Sequence, residues 1–251
     1  MTLEETQLNS LRDFIASSDF PAEEIRETRA VGGGSINATY RLITDREDLF
    51  VKINRSDRYP DMFRLEADGL NDLGSSHSFR VPRVIGICQS DHHDMLLLEY
   101  IAEGKKNHAF WETFGQQLAR LHKNYNDYFG YSRSNYIGSL VQVNEHRSSW
   151  TDFFVEQRLE PMIRLAGNKL EKSDRRNFAL LFHRLDELIP TEPPSLLHGD
   201  LWSGNYLADS DGEPVLIDPA VYHGHREMDL AMMHLFGGFA SEVFSYYHNA
   251  Y

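Results

Sequence analysis

The run His198-Gly-Asp200-Leu-Trp-Ser-Gly-Asn205 places an aspartate and an asparagine five residues apart. A second aspartate, Asp218, ends the run Val215-Leu-Ile-Asp218-Pro219, 13 residues beyond Asn205. Hard oxygen donors such as Asn205 and Asp218 suit Mg²⁺. Asp200 is then the carboxylate that lies near an attacking hydroxyl. These types in this order fit phosphoryl transfer, where the protein's task is placement and charge neutralisation. An Asp/Asn loop also forms turns. Here both flanking runs, Ser195–His198 and Val215–Asp218, read as short apolar strands, which favours the chemical reading.

The order of groups resembles the protein-kinase-like layout, which demands matching parts upstream. Gly32-Gly33-Gly34-Ser35 lies between two strand-like runs, where glycine lets backbone N–H groups approach phosphates. It lacks the Lys-Ser/Thr ending of a P-loop. Lys52, between Val51 and Ile53 in a third strand, is expected to hold the α/β-phosphates. Glu66 lies 14 residues later on an acidic helix and is its expected partner; Asp61 and Asp68 are the nearby alternatives.

These groups need elements to position them. Residues 3–16 read as a helix with Leu8, Leu11, Phe14 and Ile15 on one face, and Thr2 and Glu5 have capping-box spacing. Strand, glycine loop, strand, turn and strand fill residues 28–53. A helix over 61–73 and strands over 83–89 and 95–100 complete a five-stranded sheet with one inserted helix. The run Met95–Leu98 is wholly apolar, as in a buried strand. Beyond Gly104 the pattern turns helical, with long helices over 110–121, 150–165 and 178–188, the second interrupted near Pro161. A last helix spans 228–236, ended by Gly237-Gly238. The expected division is a sheet part over residues 1–103 and a helical part over 104–251.

Composition narrows the classes. The 251 residues hold 25 Lys+Arg against 38 Asp+Glu, a formal charge of −13. That is a poor generic match for nucleic acid. No apolar run approaches the length of a bilayer span, and no signal peptide opens the chain. The single cysteine, Cys88, allows no intrachain disulfide framework and no Cys-based zinc site. A cytoplasmic, monomeric protein with no membrane partner is expected.

Five segments together resemble the fructosamine kinase (ketosamine 3-kinase) family. They are Gly32–Asn37, Phe50–Asn54, Met62–Ala67, His198–Asn205 and Ile217–Ala220. Tyr222–Ala231 and Phe236-Gly-Gly-Phe239 extend the likeness over nearly the whole chain. The Trp of His-Gly-Asp-Leu-Trp and the Asp-Pro-Ala ending separate it from aminoglycoside and choline kinases. The resemblance implies an α+β, two-lobed protein-kinase-like fold, with ATP and Mg²⁺ as cofactors. It implies phosphorylation of sugar O3 in ketosamines such as ribulosamine, erythrulosamine or fructosamine, on a small amine or a protein, leading to deglycation. It also implies adenine recognition by Glu99-Tyr100-Ile101 and support of the catalytic loop by His198 and Asp229. Relatives continue in further helices beyond Phe239, so this chain, ending at Tyr251, is expected to be truncated or a short variant.

On the substrate side, Trp202 fits either a cover for the sugar face or packing of the loop. His225 and Arg226, with His223 and Glu227, line a sugar pocket or form a solvated loop. An aminoglycoside- or choline-type kinase is the nearest alternative, and a non-catalytic nucleotide-binding protein the next. A protein kinase is disfavoured because no Ala-Pro-Glu segment follows Asp218.

Overall fold

A computed structural model describes residues 3–20, 22, 24–32 and 36–251. The chain forms two compact units, one of residues 1–114 and 204–219, the other of residues 115–203 and 220–251.

The first unit is built on a sheet with strands β1 (Ile25–Ala30), β2 (Ala38–Thr44), β3 (Leu49–Arg55), β4 (Val84–Ser90) and β5 (His93–Glu99). Their order is β1-β2-β3-β5-β4, antiparallel throughout. Helix α1 (Glu5–Ser17) covers one face. Alternation along β3 and β5 sends Val51, Ile53, Met95 and Leu97 into a core with Leu11 and Ile15 of α1. Gly86 of β4 lies against α1, because a Cβ there would come within 2.4 Å of the Phe14 ring. The other face carries Lys52 and Leu96, which are register partners across β3 and β5. Helix α2 (Met62–Ser75) serves that face and buries Met62, Phe63, Leu70 and Leu73. Both faces are covered, which is why Met95–Leu98 is continuously apolar. The hairpin of β9 (Tyr206–Ala208) and β10 (Pro214–Leu216) completes the unit.

The capping box of α1 differs from the expected one. Glu4 caps the helix, and its N–H is accepted by Gln7 Oε1 at 3.1 Å. Thr2 lies outside the described residues.

Helix α3 (Phe110–His122) starts in the first unit and continues into the second. Phe110, Phe114, Leu118 and Leu121 are all buried. The second unit then adds a hairpin, β6 (Asn135–Ile137) and β7 (Leu140–Gln142), that the sequence did not suggest. The expected helix over 150–165 is three pieces: α4 (Trp150–Phe154), a π turn (Val155–Leu159) and α5 (Glu160–Ala166). The interruption precedes Pro161, which occupies the first turn of α5, where a missing N–H is tolerated. A 3₁₀ turn (Gly167–Lys169) follows.

The helix expected over 178–188 begins earlier, at Lys172, and breaks after Phe182. Its parts are α6 (Lys172–Phe182) and α7 (Leu185–Leu188). No residue of α6 is buried, so its first turns carry no apolar period to read. Strand β8 (Ser195–Leu197) pairs with β11 (Tyr222–Gly224). Helices α8 (Glu227–Phe236) and α9 (Glu242–Ala250) follow. Among the described residues, no helix is long and apolar enough to cross a membrane.

Leu97 is fully buried at the centre of the first core. Leu97→Ala is expected to lower unfolding stability by about 2–5 kcal/mol, through lost burial and a residual cavity. Urea unfolding of the two proteins measures the difference.

Candidate active site

Lys52 is buried despite its charge, with 5% of its side chain exposed. Burial of an ammonium is unfavourable unless it is paired. Two carboxylates meet this need. Glu66 Oε1 accepts from Lys52 Nζ at 2.7 Å, and Asp218 Oδ1 accepts from the same nitrogen. Burial alone would depress the lysine pKa, but Glu66 and Asp218 outweigh it and hold it well above the usual range. For Glu66 the balance is opposite. Burial, helped by the nearby Asp218 charge, raises its pKa against the pull of Lys52.

The phase of α2 explains why Glu66 faces inward. Met62, Glu66, Leu70 and Leu73 recur at helical spacing, and the three apolar members are buried. Glu66 therefore stands on the apolar stripe that faces the sheet, where Lys52 emerges. Asp61 and Asp68 are not needed for this pair.

Asp218 has φ 54°, a left-handed conformation unusual outside glycine. Such backbone persists where the surroundings enforce it, often at functional sites. Ile217 N–H donates to the Asn205 carbonyl at 3.0 Å, and Asn205 Nδ2 donates to the Asp218 carbonyl at 3.4 Å. The two predicted metal ligands are thus neighbours, Asn205 buried and Asp218 with 47% of its side chain exposed. Among the described residues, no group of three or more His, Cys, Asp or Glu side chains forms a metal cluster. An amide oxygen and one carboxylate fit Mg²⁺, which keeps waters and takes substrate phosphates for its remaining positions.

The loop bearing Asp200 is held by its backbone. Asp229, on the first turn of α8, accepts the N–H groups of His198 at 2.8 Å and Gly199 at 2.9 Å. Burial opposes the ionised carboxylate, yet the hydrogen bonds it accepts from the His122 ring and the Gly199 N–H hold its pKa below the usual value. On the other side, Ala220 N–H donates to the His198 carbonyl at 2.9 Å. Gly199 has φ 83°, and a Cβ there would fall 2.1 Å from the Ala220 carbonyl oxygen. Only glycine fits between His198 and Asp200. His198 Nδ1 accepts the Asp200 N–H at 3.3 Å.

Buried amides brace the segment after Asp218. Asn135 Nδ2 donates to the Val221 carbonyl at 2.8 Å and Gln142 Nε2 to the Ala220 carbonyl at 3.1 Å. Arg158 Nη2 donates to Asn144 Oδ1 at 2.7 Å, and Asn144 Nδ2 donates to Asn135 Oδ1 at 2.9 Å. The sequence implied that Asp229 supports the loop, but not this amide cluster or His122 as a partner of Asp229.

Other predicted residues are placed as follows. The Glu99 side chain pairs with Arg80 at 2.7 Å, and the Glu99 and Tyr100 N–H groups bond the Arg83 and Asp48 carbonyls. Ile101 is buried. Trp202 is 41% exposed. His225 is buried, with Nε2 3.1 Å from the Pro190 carbonyl. Arg226 pairs with Glu192 through two bonds, at 2.7 and 2.8 Å. Both groups are thus engaged by the Pro190–Glu192 segment. A Cβ on Gly32 would meet nothing within 4 Å. Gly33, Gly34 and Ser35 lie outside the described residues.

A family model described as fructosamine kinase matches residues 8–251. The chain belongs to the fructosamine kinase family. The motifs of the sequence implied this, and curated relatives agree. "Probable ketoamine kinase slr1563" of Synechocystis is 40% identical over 233 residues, 90% of this chain and 76% of that one. "Protein-ribulosamine 3-kinase, chloroplastic" of Arabidopsis thaliana is 36% identical over 84% of this chain and 66% of that one.

A solved structure of a candidate fructosamine-3-kinase from Haemophilus somnus 129PT superposes with TM-score 0.88 at 29% identity. It covers 97% of this chain and 82% of that one. Spectinomycin phosphotransferase, at TM-score 0.57 and 16% identity over 97% of this chain and 79% of that one, shares the fold. The fold of this kinase family member is α+β and kinase-like, as expected.

Two substitutions test the site. Lys52→Met removes the cation but leaves Glu66 and Asp218, and should lower ATP turnover at least about 100-fold, on the scale of lost transition-state charge stabilisation. Gly199→Ala should destabilise the fold by more than about 1 kcal/mol, because its backbone conformation excludes a Cβ. Steady-state kinetics reads the first and chemical denaturation the second.

Proposed function

We propose that this protein transfers the γ-phosphoryl group of ATP to O3 of the sugar of a ketosamine. Ribulosamine-, erythrulosamine- and fructosamine-type compounds are the substrate class, carried on a small amine or a protein. The observation that carries the reading is the buried Lys52 paired with both Glu66 and the more exposed Asp218, set beside Asn205 within a fructosamine kinase family chain.

Each residue has a chemical role in this reading. Lys52 binds the α/β-phosphates, and Glu66 keeps its ammonium charged and in place. The glycine run from Gly32 supplies backbone donors to the phosphates, and the Glu99–Ile101 backbone reads the adenine edge. Asn205 and Asp218 hold Mg²⁺, which supplies positive charge against the phosphate oxygens. The trio itself, one ammonium against two carboxylates, carries a net negative charge. A divalent cation therefore suits a site that must accept an anionic triphosphate.

Asp200 accepts the hydrogen bond of the sugar O3 hydroxyl, orients it for in-line attack and takes its proton. Trp202 offers an exposed indole two residues on, suited to the apolar face of a sugar. His225 and Arg226 are left outside the sugar site, because Pro190 and Glu192 occupy their polar atoms. The phosphorylated product then breaks down and frees the amine.

An ATP-consumption assay with ribulosamine, erythrulosamine, fructosamine, aminoglycosides and choline tests the proposal. Turnover confined to the ketosamines is expected. Turnover confined to aminoglycosides or choline would overturn it, as would a Mg·ATP thermal shift without transfer to any acceptor. Asp200→Asn should lower kcat by about 10²–10⁴-fold, the usual worth of a general base, while the ATP-induced thermal shift survives. Near-wild-type turnover in that variant would remove Asp200 from its role.

A further inference from the structure

Asp229 holds the catalytic-loop backbone, and something must hold Asp229. Its Oδ2 lies 3.3 Å from Nε2 of His122, at the end of α3. The other ring nitrogen, His122 Nδ1, lies 2.9 Å from the hydroxyl of Tyr247, on α9. Arg226 Nη1 lies 3.3 Å from that same hydroxyl oxygen. His122, Asp229 and Tyr247 are at most 1% exposed, so water contributes little to settling their polar atoms.

The donors and acceptors of this chain are decided by its end. A guanidinium only donates. The Tyr247 oxygen therefore accepts from Arg226, and its hydrogen is left to point at His122 Nδ1. Nδ1 is then an acceptor, and the ring proton must sit on Nε2, facing the Asp229 carboxylate. The reverse tautomer would set the Nε2 lone pair against that carboxylate and strand the Tyr247 hydrogen. A doubly protonated ring would add a cation close to Arg226 and also strand that hydrogen. Burial, countered only in part by Arg226, raises the Tyr247 pKa and keeps its hydrogen in place. Glu192, through its two bonds to Arg226, fixes the guanidinium that starts the chain.

We infer that Tyr247 is a positioning residue for phosphoryl transfer: its hydroxyl fixes His122 in the Nε2–H tautomer, so that Asp229 keeps His198 and Gly199 in place ahead of Asp200. The inference rests on the role proposed for Asp200. It goes further in making α9, through a single hydroxyl, part of the support of the catalytic loop.

Imidazole ¹⁵N NMR of the wild-type protein tests the tautomer without any turnover. A neutral His122 ring protonated at Nε2 is expected; Nδ1–H or a doubly protonated ring would overturn the inference, whether or not Tyr247→Phe folds. In Tyr247→Phe, a mixture of tautomers is expected, with kcat lowered about 10- to 100-fold, the scale of a small misplacement of catalytic groups, and KM for ATP unchanged. His122→Gln places an amide donor where Nε2–H stands and needs no tyrosine. Adding Tyr247→Phe to His122→Gln should therefore lower kcat no further. An equal further loss in that background would overturn the proposal. A wild-type protein inactive on every ketosamine would count against the function proposed above, while the ring spectrum would still decide the tautomer.

Discussion

One ammonium held between two carboxylates governs the first unit. Lys52 can be buried only because Glu66 and Asp218 both reach it, and removing one partner of a buried pair typically costs about 3–5 kcal/mol. This requirement constrains distant parts of the chain. The register of β3 against β5 must put Lys52 opposite Leu96. The phase of α2 must turn Glu66 toward the sheet. The turn after β10 must bring Asp218 back, at the expense of a left-handed backbone. Each of these is a local choice that makes sense only in view of the others.

The second unit repeats the theme with a different buried anion. Asp229 is surrounded by donors, two from the loop backbone and one from the His122 ring. Here a carboxylate holds main chain instead of a side-chain cation. The contrast suits the tasks. A phosphate-binding lysine needs a charge kept ready, whereas the segment ahead of Asp200 needs a shape kept fixed. The amides of Asn135, Gln142 and Asn144 serve the same end from the opposite side, with neutral groups satisfying buried carbonyls.

The sheet, its inserted helix and the Lys52–Glu66 pair were legible because their signals are local or periodic. Alternation marked the strands, and Glu66 fell on the apolar stripe of α2. The rest was hidden for identifiable reasons. The β6–β7 hairpin has strands of three residues, too short for a period. Helix α6 buries nothing and so has no stripe. The π turn at Val155–Leu159 adds a residue per turn and erases the spacing that a single helix would show. His122 did carry a signal: it continues the spacing of Phe114 and Leu118, and a polar group on an apolar face must find a partner. Tyr247 and Glu192 carried none, because their roles depend on residues more than 20 positions away.

The discontinuity of the first unit has a consequence for how the protein is made. Arg80 pairs with Glu99, but also with Asp209, at 2.6 Å and 129 residues further along the chain. The Arg80 carbonyl likewise waits for the N–H of Leu216. During synthesis, the five strands leave the ribosome long before the β9–β10 hairpin that completes their unit. A nascent chain of the sheet alone therefore leaves the Arg80 backbone without the parallel bridge that Val215 and Leu216 of the hairpin later supply. Forming that bridge closes a long loop, whose entropic cost must be met before the contacts it makes can offset it. The segment that carries Asn205 and Asp218 is thus also the last piece to close the unit that presents Lys52.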